Sequence, residues 1–311
     1  MSKFSLGKDS KVISAQNDIR ESGVDRHKIT PILYRPFDLR FTYYTGKSEG
    51  FHYRPRKDVM RNLANRENIA LCFIRSSRES IVSNFFVSSY ITDKTVLSSS
   101  DNANVTPLYI YPDIDAPEEL REIVRSNLSQ KLLNTLSDIL GYDPSPENIF
   151  YYVYAILYSP SYRSRYAKFL KIGFPHIPFT SNDSLFRQLS AYGEELVALH
   201  LMKSPRLDTL ATAFVDAGGD RAVDPKHPKY EESSSSVLIN KKGDKFTGVP
   251  KAVWEFYVGG YQVCQKWLKD RKGRTLSEDD ITHYQRIVVA LQETIRLMQQ
   301  IDEAIPSFPI E

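Results

Sequence analysis

The sequence predicts an α+β fold: a β-rich N-terminal part with short helices, followed by a mainly helical region and a long C-terminal amphipathic helix. Three observations predict this order. Short β-branched and aromatic runs, bounded by polar turns, dominate residues 1–115. Across residues 116–205, apolar residues recur at helical spacings. The strongest apolar stripe of the chain lies in the last segment, residues 237–311.

The N-terminal part is predicted to contain one short helix and three strands after a polar, loosely ordered start. The segment RPRKDVMRNLAN (residues 54–65) predicts the helix, because Pro55 is tolerated in a first turn. Three runs of β-branched and aromatic residues predict the strands. They are NIALCFIR (68–75), SIVSNFFVS (80–88) and NVTPLYIYP (104–112).

Residues 116–205 are predicted to form a helical part. The segment 117–141 repeats apolar residues at helical spacings and ends in a glycine, which is a typical helix stop. A second helix is predicted after Ser145, which is suited to cap it, with Pro146 in its first position. Further helical segments are residues 161–173 and 183–203.

The rest of the chain is predicted to be a linker followed by a C-terminal unit. Residues 206–236 are polar and contain Gly, Pro and Ser clusters, so we expect a loop or linker there. Residues 237–311 begin with a hairpin whose turn is KKGD. Gly259 and Gly260 permit a second tight turn before a short helix.

The final helix is the clearest element of the sequence. Ser277 and Asp280 give it a start that resembles a capping box. Apolar side chains at helical spacing then form one stripe, which is typical of a face that packs on a core. They are Ile281, Tyr284, Ile287, Val288, Leu291, Ile295, Met298 and Ile301.

The composition excludes several classes of protein. An apolar share of 41% and a charged share of 25% are ordinary for a globular protein. No apolar run reaches the ~20 residues that span a bilayer. The start lacks the apolar region of a signal peptide, so we expect a cytoplasmic protein with no membrane partner. Cys72 and Cys264 lie in apolar surroundings without CxxC spacing, which favours two buried free thiols.

No motif supports catalysis by this chain. The nearest match to the [DNS]PP[YFW] motif of adenine methyltransferases is SPSY (159–162), which lacks the second proline, and no Gly-rich phosphate loop occurs. Asp224, Pro225 and Lys226 match only the end of a PD-(D/E)xK nuclease pattern. The histidines show no zinc-binding spacing. We therefore expect no catalytic residue, metal site or cofactor in this chain.

Basic residues are concentrated in three segments. The net charge is only +3, but residues 31–80 hold ten basic and five acidic residues. Residues 162–171 carry four cations and no acid, and residues 266–274 carry five cations and one acid. This asymmetry indicates a face that binds an anion such as nucleic acid, although scattered surface charge would give a similar sequence.

Four segments resemble the C-terminal specificity domain of type ISP and related type II restriction-modification enzymes, which are large proteins that read, methylate and cut DNA. The segments are residues 34–46 with 54–62, residues 105–112, residues 148–179 and residues 246–295. The resemblance implies a target-recognition domain that binds duplex DNA by sequence. It implies as its second partner a methyltransferase domain in the same polypeptide or complex.

The resemblance also implies what this chain lacks. The parent would be a DNA adenine methyltransferase and restriction enzyme, and S-adenosylmethionine would bind its methyltransferase region. Because methyltransferase, ATPase and nuclease regions are missing here, we expect a fragment or a separately encoded recognition part. Two other functions stay open: an enzyme acting on RNA or a small molecule without a recognisable motif, and a helical scaffold whose final helix docks a partner.

Arginine and aromatic residues give DNA recognition a physical basis. Arginine donates two hydrogen bonds to guanine or pairs with phosphate, and aromatic rings support guanidinium groups or stack on an extruded base. We expect RPRK (54–57), at a helix start, to read base edges and KDRKGR (269–274), on a loop, to contact phosphates. The candidate DNA-binding residues are Arg35, Arg40, Tyr43, Tyr44, Arg54, Arg56, Lys57, Arg61, Arg163, Arg165, Lys168, Lys241, Lys242, Lys245, Lys269, Arg271, Lys272 and Arg274.

A structural interpretation of the same residues stays open. In YRPFDLR (34–40), Arg35 and Arg40 would form internal ion pairs, with Asp38 as one partner. The basic side chains of the other segments would then be solvated surface charges. The aromatic rings that would belong to the core are Tyr34, Phe37, Phe41 and Tyr43.

Overall fold

The computed structural model describes residues 10–76, 83–113, 123–218 and 220–310, and their elements confirm the predicted α+β class. The helices are α1 Ser10–Ser22, α2 Lys57–Met60, α3 Gln130–Leu140, α4 Pro146–Tyr158, α5 Pro160–Arg165, α6 Ala167–Leu170, α7 Asp183–His200, α8 Lys251–Trp254, α9 Val263–Lys269 and α10 Glu278–Ala304. The strands are β1 Ile29–Arg35, β2 Asp38–Tyr43, β3 Ala70–Phe73, β4 Phe85–Ser88, β5 Ile91–Thr92, β6 Asn104–Pro107, β7 Tyr109–Ile110, β8 Arg125–Ser126, β9 Ala213–Val215, β10 Lys229–Glu231, β11 Ser236–Leu238, β12 Lys245–Thr247, β13 Tyr257–Val258 and β14 Tyr261–Gln262.

The strands of the described residues form several small sheets. In the N-terminal part, β1 lies between β2 and β5, and β3 lies between β4 and β6. The C-terminal sheet has the order β10-β11-β12-β9, and β13 pairs with β14 as a separate hairpin. Because such short strands bury little surface on their own, the helices must supply most of the core.

The core is built around α4, α7 and α10. Helix α4 runs so close to α7 that a Cβ atom on Gly193 would lie 1.8 Å from the carbonyl oxygen of Tyr151. Helix α10 packs along α7, and its Leu291 is fully buried. The predicted apolar stripe of α10 is thus confirmed as a core face, with only Ile295 and Met298 partly buried.

The N-terminal strands and the C-terminal helices are joined by contacts between residues far apart in sequence. The carboxylate of Asp38, at the start of β2, accepts a hydrogen bond from Arg271 at 3.1 Å. The turn between β13 and β14 packs on the N-terminal part: a Cβ atom on Gly259, where φ is +58°, would lie 1.9 Å from the carbonyl oxygen of Leu97. The predicted glycine turn is therefore confirmed, and it also permits this close approach.

Several local signals of the sequence are confirmed. Ser145 caps α4 and Pro146 is its first residue. Ser277 and Asp280 form a complete capping box at the start of α10. The predicted hairpin is formed by β11 and β12. The two cysteines, Cys72 and Cys264, are buried free thiols.

The stretch 206–236, predicted to be a loop or linker, instead contains strands β9 and β10. Both lie at the edges of the C-terminal sheet. Each strand has only three residues, AFV in β9 and KYE in β10, which is too short for an alternating pattern to stand out among the surrounding polar, Gly and Pro residues. The division of the chain into four parts remains a prediction.

Two other predictions differ from the structure. A helix, α1, occupies Ser10–Ser22, where the sequence predicted a loose start; its buried residue is the polar Asp18, so it has little apolar signal. The helix predicted over 117–141 begins at Gln130, because Arg125–Ser126 pairs with β7 as strand β8. The first residues of that helix, and residues 80–82 of the second predicted strand, lie outside the described residues.

Candidate nucleic-acid interface

The arginines on either side of the Tyr34 ring make internal contacts. The guanidinium carbons of Arg35 and Arg40 lie 3.8 and 3.7 Å from the centre of that ring. Arg35 also pairs with Asp93 at 3.1 Å, and its side chain is only 12% exposed. Arg40 pairs with the buried carboxylate of Asp38 at 2.9 Å. These contacts favour the structural interpretation of YRPFDLR.

Arg271 makes internal contacts as well, although it belongs to the loop predicted to bind phosphate. Its guanidinium lies 3.4 Å from the centre of the Trp267 ring, pairs with Asp38 at 3.1 Å and with Asp280 at 3.4 Å. A third hydrogen bond goes to the carbonyl oxygen of Trp267 at 3.1 Å. Most donors of Arg271 are therefore used inside the protein, where they tie the end of α9 to β2 and α10.

Arg163 and Arg61 also make contacts with other residues of the protein. Arg163 lies 4.4 Å from the centre of the Tyr158 ring, and burial lowers the pKa of its guanidinium from the ordinary value. Arg61 pairs with Asp113 at 3.8 Å, and the side chain of Arg61 is 27% exposed. Arg163 is partly buried and stacks on the buried ring of Tyr158, which favours a structural role because a guanidinium held in this way has limited access to a ligand.

The first exposed cationic surface is the 54–57 turn, which comprises Arg54, Pro55, Arg56 and Lys57. The three cations are exposed, and none forms an ion pair with a residue that the structure describes. Helix α2 begins only at Lys57, so Arg54 and Arg56 precede the helix that the sequence predicted from residue 54. The buried Pro55 anchors the turn, because its carbonyl oxygen accepts a hydrogen bond from the hydroxyl of Tyr44 at 3.1 Å. Burial, with a smaller effect of a nearby carboxylate, raises the pKa of Tyr44 to about 12.

Exposed aromatic rings precede the 54–57 turn, and the sequence analysis missed them as candidates. Phe51 and Tyr53 are 38% and 49% exposed. The backbone N–H of Phe51 donates to the buried carboxylate of Asp18 at 2.8 Å, which fixes the loop. The ring of Tyr43 packs edge-on against Phe51, and its hydroxyl donates to the carbonyl oxygen of Gly23 at 3.0 Å. The signal available in the sequence was the aromatic residues directly before RPRK.

The second exposed cationic surface is called here the basic platform, which comprises Lys241, Lys242, Lys272 and Arg274. The two lysines at 241 and 242 lie at the tip of the β11–β12 hairpin, and the other two cations lie in the loop after α9. All four are exposed, without an ion pair to any described residue. The fold thus brings together two segments that the sequence analysis treated separately.

Lys245 and Lys269 lie near the basic platform in sequence but on regular elements. Lys245 is half-buried in β12, where its backbone pairs with Val215 of β9. Lys269 is the last residue of α9, not part of a loop, and its ammonium group donates to Gln265 one turn earlier. The side chain of Lys269 is exposed, whereas that of Lys245 is only partly exposed.

The third exposed surface is called here the 165–174 surface, and it combines cations with apolar side chains. Arg165 and Lys168 are exposed on α5 and α6. Phe169, Ile172 and Phe174 are 64%, 75% and 56% exposed, which the sequence analysis did not anticipate. Helix α6 buries Leu170, its last residue, and Ile172 and Phe174 lie in the segment that follows the helix.

Of the four rings that the structural interpretation placed in the core, Phe37 is buried, Tyr34 and Tyr43 are partly exposed, and Phe41 is exposed. Phe41 is 75% exposed, whereas Phe37 is 3% exposed. Phe41 lies in the edge strand β2, on the same face as the exposed Leu39, whereas Phe37 lies in the β1–β2 turn with φ of +62° and packs edge-on against Phe86. The expectation that Phe41 is a core residue was therefore wrong.

Metal and membrane sites were also sought in the part of the chain that the structure describes. There, no three His, Cys, Asp or Glu side chains are grouped so that they could hold a metal ion. Within the same residues, no helix combines the length and apolar character needed to cross a membrane.

Comparison with protein families gives one match. The model of the type ISP C-terminal specificity domain matches residues 2–300. A search of curated proteins finds no significant match.

Solved structures with the same fold include three complexes with DNA or a DNA substrate mimic. The DrdV–DNA complex superposes with a TM-score of 0.70 at 21% identity over 89% of this chain. A nuclease-deletion mutant of the type ISP restriction-modification enzyme LlaGI, in complex with a DNA substrate mimic, gives 0.66 at 19% identity over 93%. The ATP-dependent type ISP enzyme LlaBIII bound to DNA gives 0.68 at 17% identity over 99%. The chain spans only 28%, 26% and 20% of the lengths of these three chains.

Proposed function

Because this chain belongs to the type ISP C-terminal specificity domain family, we propose that it recognises duplex DNA by sequence as part of a larger restriction-modification enzyme. The observation that carries the proposal is the family match across residues 2–300. The three structural relatives are described as bound to DNA or to a DNA substrate mimic, which supports the same ligand.

The charges of the surface support DNA as the ligand. Duplex DNA carries one negative charge per about 1.7 Å of its axis, and proteins bind it by replacing counterions with lysine and arginine. The 54–57 turn, the basic platform, and Arg165 and Lys168 of the 165–174 surface present exposed cations that form no ion pair with a described residue. Arg35, Arg163 and Arg271 are omitted from the proposed interface, since their side chains are committed inside the protein.

The catalytic steps are assigned to other regions of the parent enzyme. This chain spans 20% to 28% of the structural relatives, so most of their length has no counterpart here. In the proposal, a methyltransferase domain of the same polypeptide or complex is the partner, and it binds S-adenosylmethionine. The parent is a DNA adenine methyltransferase and restriction enzyme that acts in the cytoplasm.

The two rival functions have less support. A scaffold that docks a partner through α10 needs an exposed apolar stripe, but Leu291 and its neighbours on that face are buried. The family match does not favour an enzyme acting on RNA or a small molecule, and the described part of the chain has no group of three His, Cys, Asp or Glu side chains that could hold a metal ion for one.

Fluorescence anisotropy with labelled duplexes tests the proposal. A duplex carrying a sequence selected from a random library by the chain should bind more tightly than a scrambled duplex of equal length. Non-specific affinity should fall with salt, and specific recognition is typically about 10³-fold or more tighter than non-specific binding. Failure to enrich any sequence, together with equal affinity for all duplexes, would contradict the proposed reading function.

A further inference from the structure

Two loops of the basic platform are attached to the same short segment of backbone. On one side, the N–H of Val223 donates to the carbonyl oxygen of Arg274 at 3.0 Å, and the N–H of Gly273 donates to that of Val223 at 2.8 Å. On the other side, the N–H of Asp224 donates to the carbonyl oxygen of Ile239 at 2.9 Å. The segment 221–224 therefore lies between the hairpin tip and the loop after α9, as a central strand lies between its neighbours.

Asn240 holds the hairpin tip in one conformation. Its side-chain oxygen accepts hydrogen bonds from the backbone N–H groups of Lys242, Gly243 and Asp244, each at 3.1 Å. Its side-chain nitrogen donates to the carbonyl oxygen of Ala222 at 3.0 Å. Since Asn240 is 2% exposed, these bonds are shielded from competition with water.

Asp244, at the other end of the hairpin tip, completes this network of hydrogen bonds. Its carboxylate accepts the side-chain amide of Asn240 at 2.8 Å and the backbone N–H groups of Ala217 and Arg221 at 2.8 and 3.0 Å. Asp244 is fully buried. The backbone N–H of Lys241 is fixed as well, because it donates to the carboxylate of Asp224 at 2.9 Å.

Four carboxylates near the basic platform already accept hydrogen bonds from backbone N–H groups or pair with Arg221. Asp244 and Asp224 accept backbone N–H groups, and Asp216 and Glu278 both pair with Arg221. The four cations of the basic platform are left exposed on a backbone that these bonds hold still. Such order reduces the entropy that a binding surface loses when a ligand arrives.

We propose that the basic platform is one preorganised binding surface for the DNA phosphate backbone, and that Asn240 and Asp244 are positioning residues that hold its two loops together. The inference rests on the proposed function, because it takes DNA as the ligand. Beyond DNA binding itself, it specifies the basic platform as the site and phosphate as the group that is bound. It also assigns a role to Asn240 and Asp244, which act without touching DNA.

The contact residues are tested by the salt dependence of binding. Each phosphate contact contributes about 0.9 to the slope of log affinity against log salt concentration. The double variant Lys241→Ala with Lys242→Ala should therefore lower that slope by about two units on a mixed-sequence duplex, and Lys272→Ala with Arg274→Ala should do the same. Lys131→Ala, which removes an exposed lysine of α3, is the matched control and should leave the slope unchanged.

The positioning residues are tested by a variant that keeps every cation. Asn240→Ala should weaken binding to all duplexes about 10-fold, as expected from a loss of roughly 1.4 kcal/mol, while the salt slope stays within half a unit of the wild-type value. Hydrogen exchange should accelerate at the amides of residues 242–244, which lose their acceptor. If Asn240→Ala does not fold, Gly243→Ala tests the same tip, because φ at Gly243 is +102° and a side chain there is strained.

The outcomes separate this inference from the proposed function. Unchanged affinity in the tip variants despite faster exchange would overturn the positioning role. Unchanged slopes in both double variants, with wild-type DNA binding intact, would overturn the platform while leaving DNA recognition standing. Absence of duplex binding by the wild-type chain would instead overturn the proposed function itself.

Discussion

His200 lies in the core with both ring nitrogens hydrogen-bonded. Nδ1 is 2.6 Å from the hydroxyl of Tyr154, and Nε2 is 2.9 Å from the hydroxyl of Thr294. The hydroxyl of Thr294 donates to the carbonyl oxygen of Ala290, so it accepts from Nε2, and Nδ1 accepts from Tyr154. Burial, followed by the nearby charge of Arg163, lowers the pKa of His200 to about 3, so the ring is neutral at neutral pH.

This buried histidine predicts a loss of stability in acid. The folded pKa is about 3 and the unfolded value is about 6.5, so below pH 6.5 the unfolded state binds more protons. The free energy of unfolding should fall by about 1.4 kcal/mol for each pH unit between these two values. Urea unfolding of the wild type and of His200→Gln at several pH values isolates the effect, because other histidines are common to both. Equal pH dependence in the two proteins would contradict it.

Arg271 predicts a different outcome from its neighbour Lys272. The substitution Arg271→Ala removes one of the two arginines that pair with Asp38, whose side chain is 1% exposed. Arg40 is then the remaining arginine partner of Asp38. Breaking a buried ion pair costs about 3 to 5 kcal/mol, and the remaining partner favours the lower end. Denaturant unfolding should show this loss for Arg271→Ala and a change within about 0.5 kcal/mol for the exposed Lys272→Ala. A stable Arg271→Ala with a reduced salt slope would restore its assignment as a phosphate contact.

The sequence predicted which segments are basic but not which cations are free. Arg271 and Lys272 are adjacent, yet one is fixed by Asp38, which lies far away in the chain, and the other is exposed. Local sequence holds no information about such a distant partner. For Arg40 the partner, Asp38, is two residues away, and there the structural interpretation included the ion pair that the structure contains.

Among the helices, the contact of α4 with α7 depends on a missing side chain. Gly193→Ala would place a Cβ atom 1.8 Å from the carbonyl oxygen of Tyr151, so the two helices must separate. Overpacking of this kind costs about 1 to 3 kcal/mol and occasionally more. Gly173→Ala is the matched control, because no atom lies within 4 Å of its added Cβ and its backbone is not left-handed. Thermal unfolding that ranks Gly173→Ala as the more damaging change would contradict the close packing.

Helix α10 contributes to stability through its buried face. Leu291→Ala should lower the free energy of unfolding by about 2 to 5 kcal/mol, because a fully buried leucine leaves a cavity. Gln292→Ala, at the next and exposed position, should change it by less than about 0.5 kcal/mol. Denaturant titration measures both. A loss below about 0.5 kcal/mol for Leu291→Ala would show an accessible stripe and favour the scaffold alternative.

Helices whose ends are set by neighbouring residues were predicted well from the sequence. Strands that form only by pairing with a distant segment were not. Ser145 and Ser277 cap their helices through bonds within four residues, so the sequence is sufficient. Strands β9 and β10 form by pairing with β12 and β11, and each has only three residues, which is too short to give a strand pattern in the sequence. The basic platform could not be predicted for the same reason, because residues 221–224 bring together two basic loops that lie about 30 residues apart in sequence.

In the molecule as a whole, two surfaces present exposed cations on ordered turns but differ in their surroundings. The basic platform consists of cations alone, which suits a uniform phosphate backbone. The 54–57 turn has Phe51 and Tyr53 beside Arg54 and Arg56, and arginine with aromatic side chains is suited to base edges and unstacked bases. We therefore expect the 54–57 turn to contact bases and the basic platform to bind phosphates independently of the DNA sequence.

This division predicts opposite effects of two kinds of substitution. If Arg54 or Arg56 contacts guanine, its replacement by alanine should cost about 1 to 3 kcal/mol on the selected sequence and relax preference at one base pair. Binding to a scrambled duplex should change little. Lys272→Ala should weaken both duplexes about equally and lower the salt slope by about one unit. Anisotropy on the two duplexes at several salt concentrations measures each quantity. Equal losses of affinity on both duplexes for Arg54→Ala and Arg56→Ala would show that the 54–57 turn contacts phosphates and not bases.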